Sequence, residues 1–133
     1  MKFICLGYLD EKRWESMSES ERNAFFDVCW SYDDVLRANG HYAGGEGLQN
    51  SRTAVTVRIQ KGKPFVTDGP FAETKEQLGG ILILEARDMA QAIELISKHP
   101  GAGAAGFEIR PVADMAEAVK ESEKRRRLAA QDG

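Results

Sequence analysis

The sequence predicts an α+β fold of the ferredoxin-like, split βαβ kind: an antiparallel sheet with both main helices on one face. Three observations carry that expectation. Apolar or alternating runs suited to strands are interleaved with segments of helical periodicity, the helices being opened by capping pairs. Their order is strand, helix, strand, hairpin, strand, helix, strand, helix. The chain has 133 residues, 42% of them hydrophobic and 29% charged, which suffices for one cored domain and falls short of two ordinary ones.

The elements follow in order. KFICLGYL at 2–9 is apolar on both alternating faces, as in the middle of a covered sheet. Ser18 and Glu21 have capping-box spacing, and Phe25, Val28, Cys29, Tyr32, Val35 and Leu36 then recur at helical intervals as far as Gly40. HYAGGEGL at 41–48 is a second, glycine-broken strand. TAVTVRIQ at 53–60 alternates, with Val55, Val57 and Ile59 on one face, and so reads as half-buried. KGKP turns it into PFVTDG, which makes a hairpin of 53–67. GGILILEA at 79–86 is continuously apolar and therefore central. Asp88 and Gln91 repeat the capping spacing, and Met89, Ala92, Ile93 and Ile96 supply the buried stripe of a second helix ending at Pro100. The loop GAGAAG leads to a last strand, FEIRPV. Asp114 and Glu117 then open a polar helix that reaches Ala130.

Helices on one face leave the other face of the sheet bare, with apolar side chains on its first and fourth strands. The expected cover is a second copy, in a homodimer whose sheets pack face to face. The last helix packs over the partner or lies free.

Composition narrows the function. Net charge is −3, and the cluster KRRR at 124–127 lies in a segment, 113–133, whose five basic residues are balanced by five acidic ones. No nucleic-acid surface is expected from that balance. The longest apolar run, ILIL at 81–84, is far shorter than the ~20 residues of a membrane span. The opening MKFICLGYLDEKRWE lacks the apolar region of a signal peptide, so a cytoplasmic protein is expected. Cys5 and Cys29 fall among apolar residues without metal spacing and read as buried free thiols; no metal or cofactor is expected. No Ser-His-Asp order, P-loop or dinucleotide fingerprint is present.

The densest chemistry lies in VTDGPFAETKE at 66–76. Gly69 supplies conformational freedom, Pro70 fixes φ at the bend, and Phe71 is expected to plug the core or a cleft edge. Asp68 is either a turn residue accepting backbone N–H groups or a carboxylate that takes a proton or orients a histidine. Glu73, Lys75 and Glu76 form a solvated helical turn, unless Lys75 enters the cleft to bind an anion. Arg58 and Arg110 lie on strands expected in one sheet; they either pair with neighbours such as Glu108 or form an anion site. His99 ends a helix whose dipole favours its charged form, and becomes a general base if it approaches Asp68. His41 is a surface reserve.

VTDGPFAETKEQLGG, with ILILEA, AQAIELISKHP, FEIRPV and KFICLGYL, resembles the YCII-related family, in its DGPF-motif branch. The resemblance covers residues 1–112 and leaves 113–133 as a helical extension. It implies the dimeric α+β barrel form of the fold. It also implies that some members are enzymes with a His–Asp pair in a cleft, one kind acting as a dehydrochlorinase on a chlorinated hydroxyquinol. DGPF-type members tend to be encoded beside, or fused to, sigma factors of the extracytoplasmic-function class, which implies a regulatory link. In the enzymatic pattern the histidine is on the first helix and its aspartate precedes a proline at the end of the second. Here residues 18–39 hold no histidine, Cys29 and Trp30 occupy the matching region, and His99 precedes Pro100. The expected pair is therefore His99 with Asp68, in a cofactor-independent enzyme acting on a small anionic or aromatic molecule held by Lys75, Arg58 and Arg110. A ligand-sensing module and a pocketless interaction domain are the alternatives.

Overall fold

The two most apolar strands find each other. In the computed structural model, which describes residues 1–132, β1 (Lys2–Asp10) and β5 (Glu76–Glu85) form the antiparallel centre of a four-stranded sheet. β2 (Tyr42–Gly47) flanks β5 and β6 (Phe107–Pro111) flanks β1, giving the order β2-β5-β1-β6. Phe3, Cys5, Leu82 and Leu84 share one face, where they are buried with Leu36 of α2 (Glu19–Ala38) and Ala92 and Ile96 of α3 (Met89–Ser97). Both main helices thus cover one face, and the split βαβ architecture is as the strand and helix order predicts.

The helix starts are as legible as expected. Ser18 accepts from the Glu21 N–H while Glu21 Oε1 accepts from the Ser18 N–H, a complete capping box that holds the Glu21 carboxyl below its usual range. Asp88 caps α3 by accepting from Gln91, but the Gln91 side chain returns to the Arg87 N–H rather than to the cap. One helix was not expected: α1 (Glu11–Ser16), capped by Asp10, is only six residues and carries no readable period.

The motif region departs from expectation. β3 (Val55–Gln60) and β4 (Lys63–Asp68) make a separate two-stranded sheet with both faces open, so Val57 and Ile59 are exposed rather than half-buried, Ile59 to 68%. Arg58 and Arg110 therefore lie in different sheets: Arg58 sits over the Phe71 ring at 4.9 Å, and Arg110 pairs with Glu108 of its own strand. Phe71 is 79% exposed and plugs nothing. Residues 73–76 form no helical turn, because Glu76 already pairs with Asp10 as the start of β5. Gly69 does adopt a left-handed φ of +110°, and its N–H reaches the Ala54 carbonyl at 2.7 Å.

α4 (Ala116–Asp132) follows β6 and is almost wholly exposed. No helix among the described residues is long and apolar enough to cross a membrane. Ser18→Ala should cost about 1 kcal/mol of stability. A lower urea midpoint with an unchanged slope would register it, and Ser20→Ala on the same turn should leave the midpoint in place.

Candidate functional site

Along the helix-covered face the central strand pair thins out. Phe3 stands opposite Leu84, Cys5 opposite Leu82, and Gly7 opposite Gly80. On β2, Gly45 stands opposite Leu82 and Gly47 opposite Gly80, extending the bare patch sideways. α2 passes over both ends, with Leu36 packed on the full end. Over the bare end a cleft of about 1130 Å³ opens. Its floor includes Gly7, Gly45, Gly47 and Gly80.

Its wall is aromatic. Phe26 and Trp30, one helical turn apart, stack with centroids 5.1 Å apart and planes 8° from parallel. Trp14 of α1 stands edge-on to Phe26 at 5.2 Å and to Phe25 at 5.7 Å. The unexpected short helix thus completes this wall.

At the end of the cleft lie Cys29, Asp33 and His99. His99 follows α3 by two residues and opens the 3₁₀ turn Pro100–Gly103, so it does not sit in the last turn of the helix as expected. The Gly101 N–H donates to His99 Nδ1 at 2.9 Å. The ring is wedged edge-on between Tyr32 (5.7 Å) and Phe107 (5.1 Å), and Tyr32 Oη in turn donates to the Leu95 carbonyl at 2.6 Å. Phe107 lies across Gly7, where a Cβ would stand 2.9 Å from its ring. A bare strand position therefore makes room for the ring that steadies the histidine.

His99 Nε2 faces Asp33 Oδ1 at 3.3 Å, with the two side chains 10% and 19% exposed. That distance and geometry stop short of a formed hydrogen bond, and Oδ1 is buried with no hydrogen-bond partner among the described residues. The carboxylate beside His99 is thus Asp33 rather than Asp68. Asp68, Lys75, Arg58 and Arg110 are exposed and do not line this cleft, nor do Gly69, Pro70 and Phe71. His41 is half-buried, its Nδ1 at 2.8 Å from the Glu85 carbonyl oxygen, and is not the free surface group expected. Asp33 carried one readable signal: it stands four residues after Cys29, on the same helix edge.

Residues 1–116 match the model of the YCII-related domain. The chain belongs to the YCII-related family. This family member is 39% identical over 117 residues to an uncharacterized protein of Rhizobium meliloti, a match covering 85% of this chain and 93% of that one. A solved structure of 5-chloro-2-hydroxyhydroquinone dehydrochlorinase from Burkholderia phenoliruptrix, in complex with 2,5-dihydroxybenzoquinone, aligns with a TM-score of 0.49 at 16% identity. That alignment spans 85% of this chain and 94% of the solved one.

Both cysteines of this YCII-related chain are free and buried, as their apolar neighbours predict. Burial, and then the Asp33 charge, push the Cys29 thiol up to about 11, with the Gly101 backbone acting in the opposite sense. Burial alone takes Cys5 to about 11. Cys29 is thus a thiol and not a thiolate at neutral pH, which removes it as a nucleophile. The unfolded thiols ionise first, from an ordinary value of 9.0. Between that pH and about 11 the folded state holds more protons, so stability falls as pH rises. Urea midpoints across this window should fall more steeply for the wild type than for Cys29→Ala.

Proposed function

We propose that this protein binds a small aromatic molecule in the cleft under α2 and moves a proton on it with the Asp33–His99 pair, without a cofactor. The observation that carries the reading is the near-contact of a nine-tenths-buried histidine and an aspartate, 3.3 Å apart, in a cleft walled by Trp14, Phe25, Phe26 and Trp30. Clefts of roughly 300–1,000 Å³ with apolar walls and a few convergent polar groups are the usual form of small-molecule sites. The resemblance described above adds support. The enzymatic pattern has histidine on the first helix and aspartate before the proline; here Asp33 is on the long first helix, about one turn past the matching region at Cys29 and Trp30, and His99 precedes Pro100, so the two residue types are exchanged between the same two elements. The stretch VTDGPF is the basis for assigning the chain to the DGPF-motif branch.

The working unit in this reading is a homodimer formed through the bare sheet face. Ile4 stands opposite Ile83 and Leu6 opposite Ile81 on the face away from the helices. Val55, Val57, Ile59, Phe65 and Val66 of the hairpin are exposed as well, and one subunit has nothing to cover them. Sedimentation should give twice the 14.7 kDa chain mass, and Leu6→Glu should shift it to the monomer.

A thermal-shift screen of small aromatic metabolites tests the site. A ligand at a hundred times its Kd should raise the melting temperature by on the order of 10 °C. Asp33→Asn should lower turnover of that ligand by roughly 10²–10⁴-fold, the usual share of a general base, whereas Asp68→Asn should leave it unchanged. Loss of turnover in Asp68→Asn with full activity in Asp33→Asn would move the site to the hairpin. Stabilisation without turnover would make the protein a ligand-sensing module.

A further inference from the structure

A His–Asp pair works according to which ring nitrogen keeps a lone pair. In the familiar triad the carboxylate accepts a hydrogen bond from Nδ1–H and leaves Nε2 free as the base. Here the ring is turned the other way. Nδ1 receives the Gly101 N–H at 2.9 Å, and Nε2 is the nitrogen that faces Asp33. A backbone N–H brings a proton and has no lone pair to offer, so in the neutral ring Nδ1 is the acceptor and Nε2 carries the hydrogen. Nε2 stands 3.3 Å from Asp33 Oδ1, short of a formed hydrogen bond, and that oxygen has no hydrogen-bond partner among the described residues. Nδ1 is committed to the Gly101 N–H, Nε2 faces the carboxylate, and Tyr32 and Phe107 hold the ring edge-on. The neutral imidazole has no lone pair left for a ligand, while the Asp33 carboxylate retains several.

We infer that His99 is a positioning residue, locked as an Nε2–H donor by the Gly101 backbone, and that Asp33 is the acceptor this cleft presents, so that a ligand engaging the pair brings a hydrogen-bond donor to it rather than an anion. The inference rests on the cleft being the binding site. The charges lining it agree: Asp10, Asp33, Asp34 and Glu46 stand against Arg13 and Arg37. Arg37 is already held by Asp34 at 2.6 Å and lies over the Tyr42 ring at 4.3 Å. The cations from which an anion site was expected, Arg58, Arg110 and Lys75, are elsewhere on the surface. An aromatic amidine has the matching shape, a flat ring for the Phe26–Trp30 wall and paired N–H donors for a carboxylate.

Two measurements on the full chain test this. Long-range proton–nitrogen NMR of ¹⁵N-histidine-labelled protein, at a pH where the ring is neutral, should show His99 as the Nε2–H tautomer. Asp33→Asn should show the same tautomer, because the backbone and not the carboxylate sets it. An Nδ1–H ring in the wild type, or a change of tautomer in Asp33→Asn, would overturn the lock. Tryptophan-fluorescence titration with benzamidine and benzoate tests the acceptor. Benzamidine should bind more tightly than benzoate, and Asp33→Asn should weaken it by about 10- to 100-fold, the worth of a charge-assisted hydrogen bond. His99→Gln, which keeps an N–H donor near the Nε2 position, should restore most of the affinity lost in His99→Ala. Benzoate binding as tightly as benzamidine, or benzamidine affinity indifferent to Asp33→Asn, would overturn the acceptor assignment alone. Binding of neither probe at millimolar concentration would overturn it together with the cleft reading.

Discussion

Everything in the fold hangs on the pairing of β1 with β5. The two strands form the middle of the sheet, and their facing residues shrink from Phe3–Leu84 through Cys5–Leu82 to Gly7–Gly80. Large side chains at one end bury against α2 and α3 and supply the core. Hydrogen atoms in place of side chains at the other end leave α2 without strand side chains beneath it, and the gap is the cleft. Fold stability and binding volume are thus two ends of one strand pair. Filling the glycine end would be resisted by specific atoms: a Cβ on Gly80 would come within 3.1 Å of the Glu46 carbonyl, and one on Gly79 within 2.1 Å of Leu9.

The register break between Gly7 and Tyr8 belongs to the same device. Gly7 pairs with Gly80 but Tyr8 pairs with Leu78, so Gly79 is an extra residue on β5 and the strand is bulged there. Glycine at this bulge and at Gly7 lets neighbouring groups come close, Leu9 against Gly79 and the Phe107 ring across Gly7. Phe107 then braces His99, and His99 faces Asp33 on α2. The polar pair is held by packing and by a backbone N–H, with little help from other charged groups. Such support is suited to keeping a buried polar pair in one geometry, since the flanking rings and a backbone N–H are themselves fixed by the fold.

Local signals carried most of the secondary structure. Capping pairs, apolar periods and glycine-proline breaks act within a few residues, so α2, α3, β1, β5 and the hairpin are readable in order. α1 escaped because six residues hold less than two turns of pattern. The sheet membership of the hairpin escaped because alternation reports which side chains share a face and not what covers that face. VTDGPFAETKE is dense in turn and charge residues, yet it is the exposed passage from hairpin to central strand. Asp33 did the reverse. Beside Asp34 on a charged helix it looks solvated, and only the return of the 100–106 loop to α2 turns it into a partner for His99.

The sequence by itself determined the element order, the split βαβ class, the two buried thiols and the family. These depend on periods, caps and motifs that are contiguous in the chain. Which carboxylate meets His99, and which ring nitrogen faces it, were decided only by tertiary structure. Asp33 and His99 are separated by 66 positions along the chain, and the contact exists because two helices share one sheet face whose far end is made of glycine.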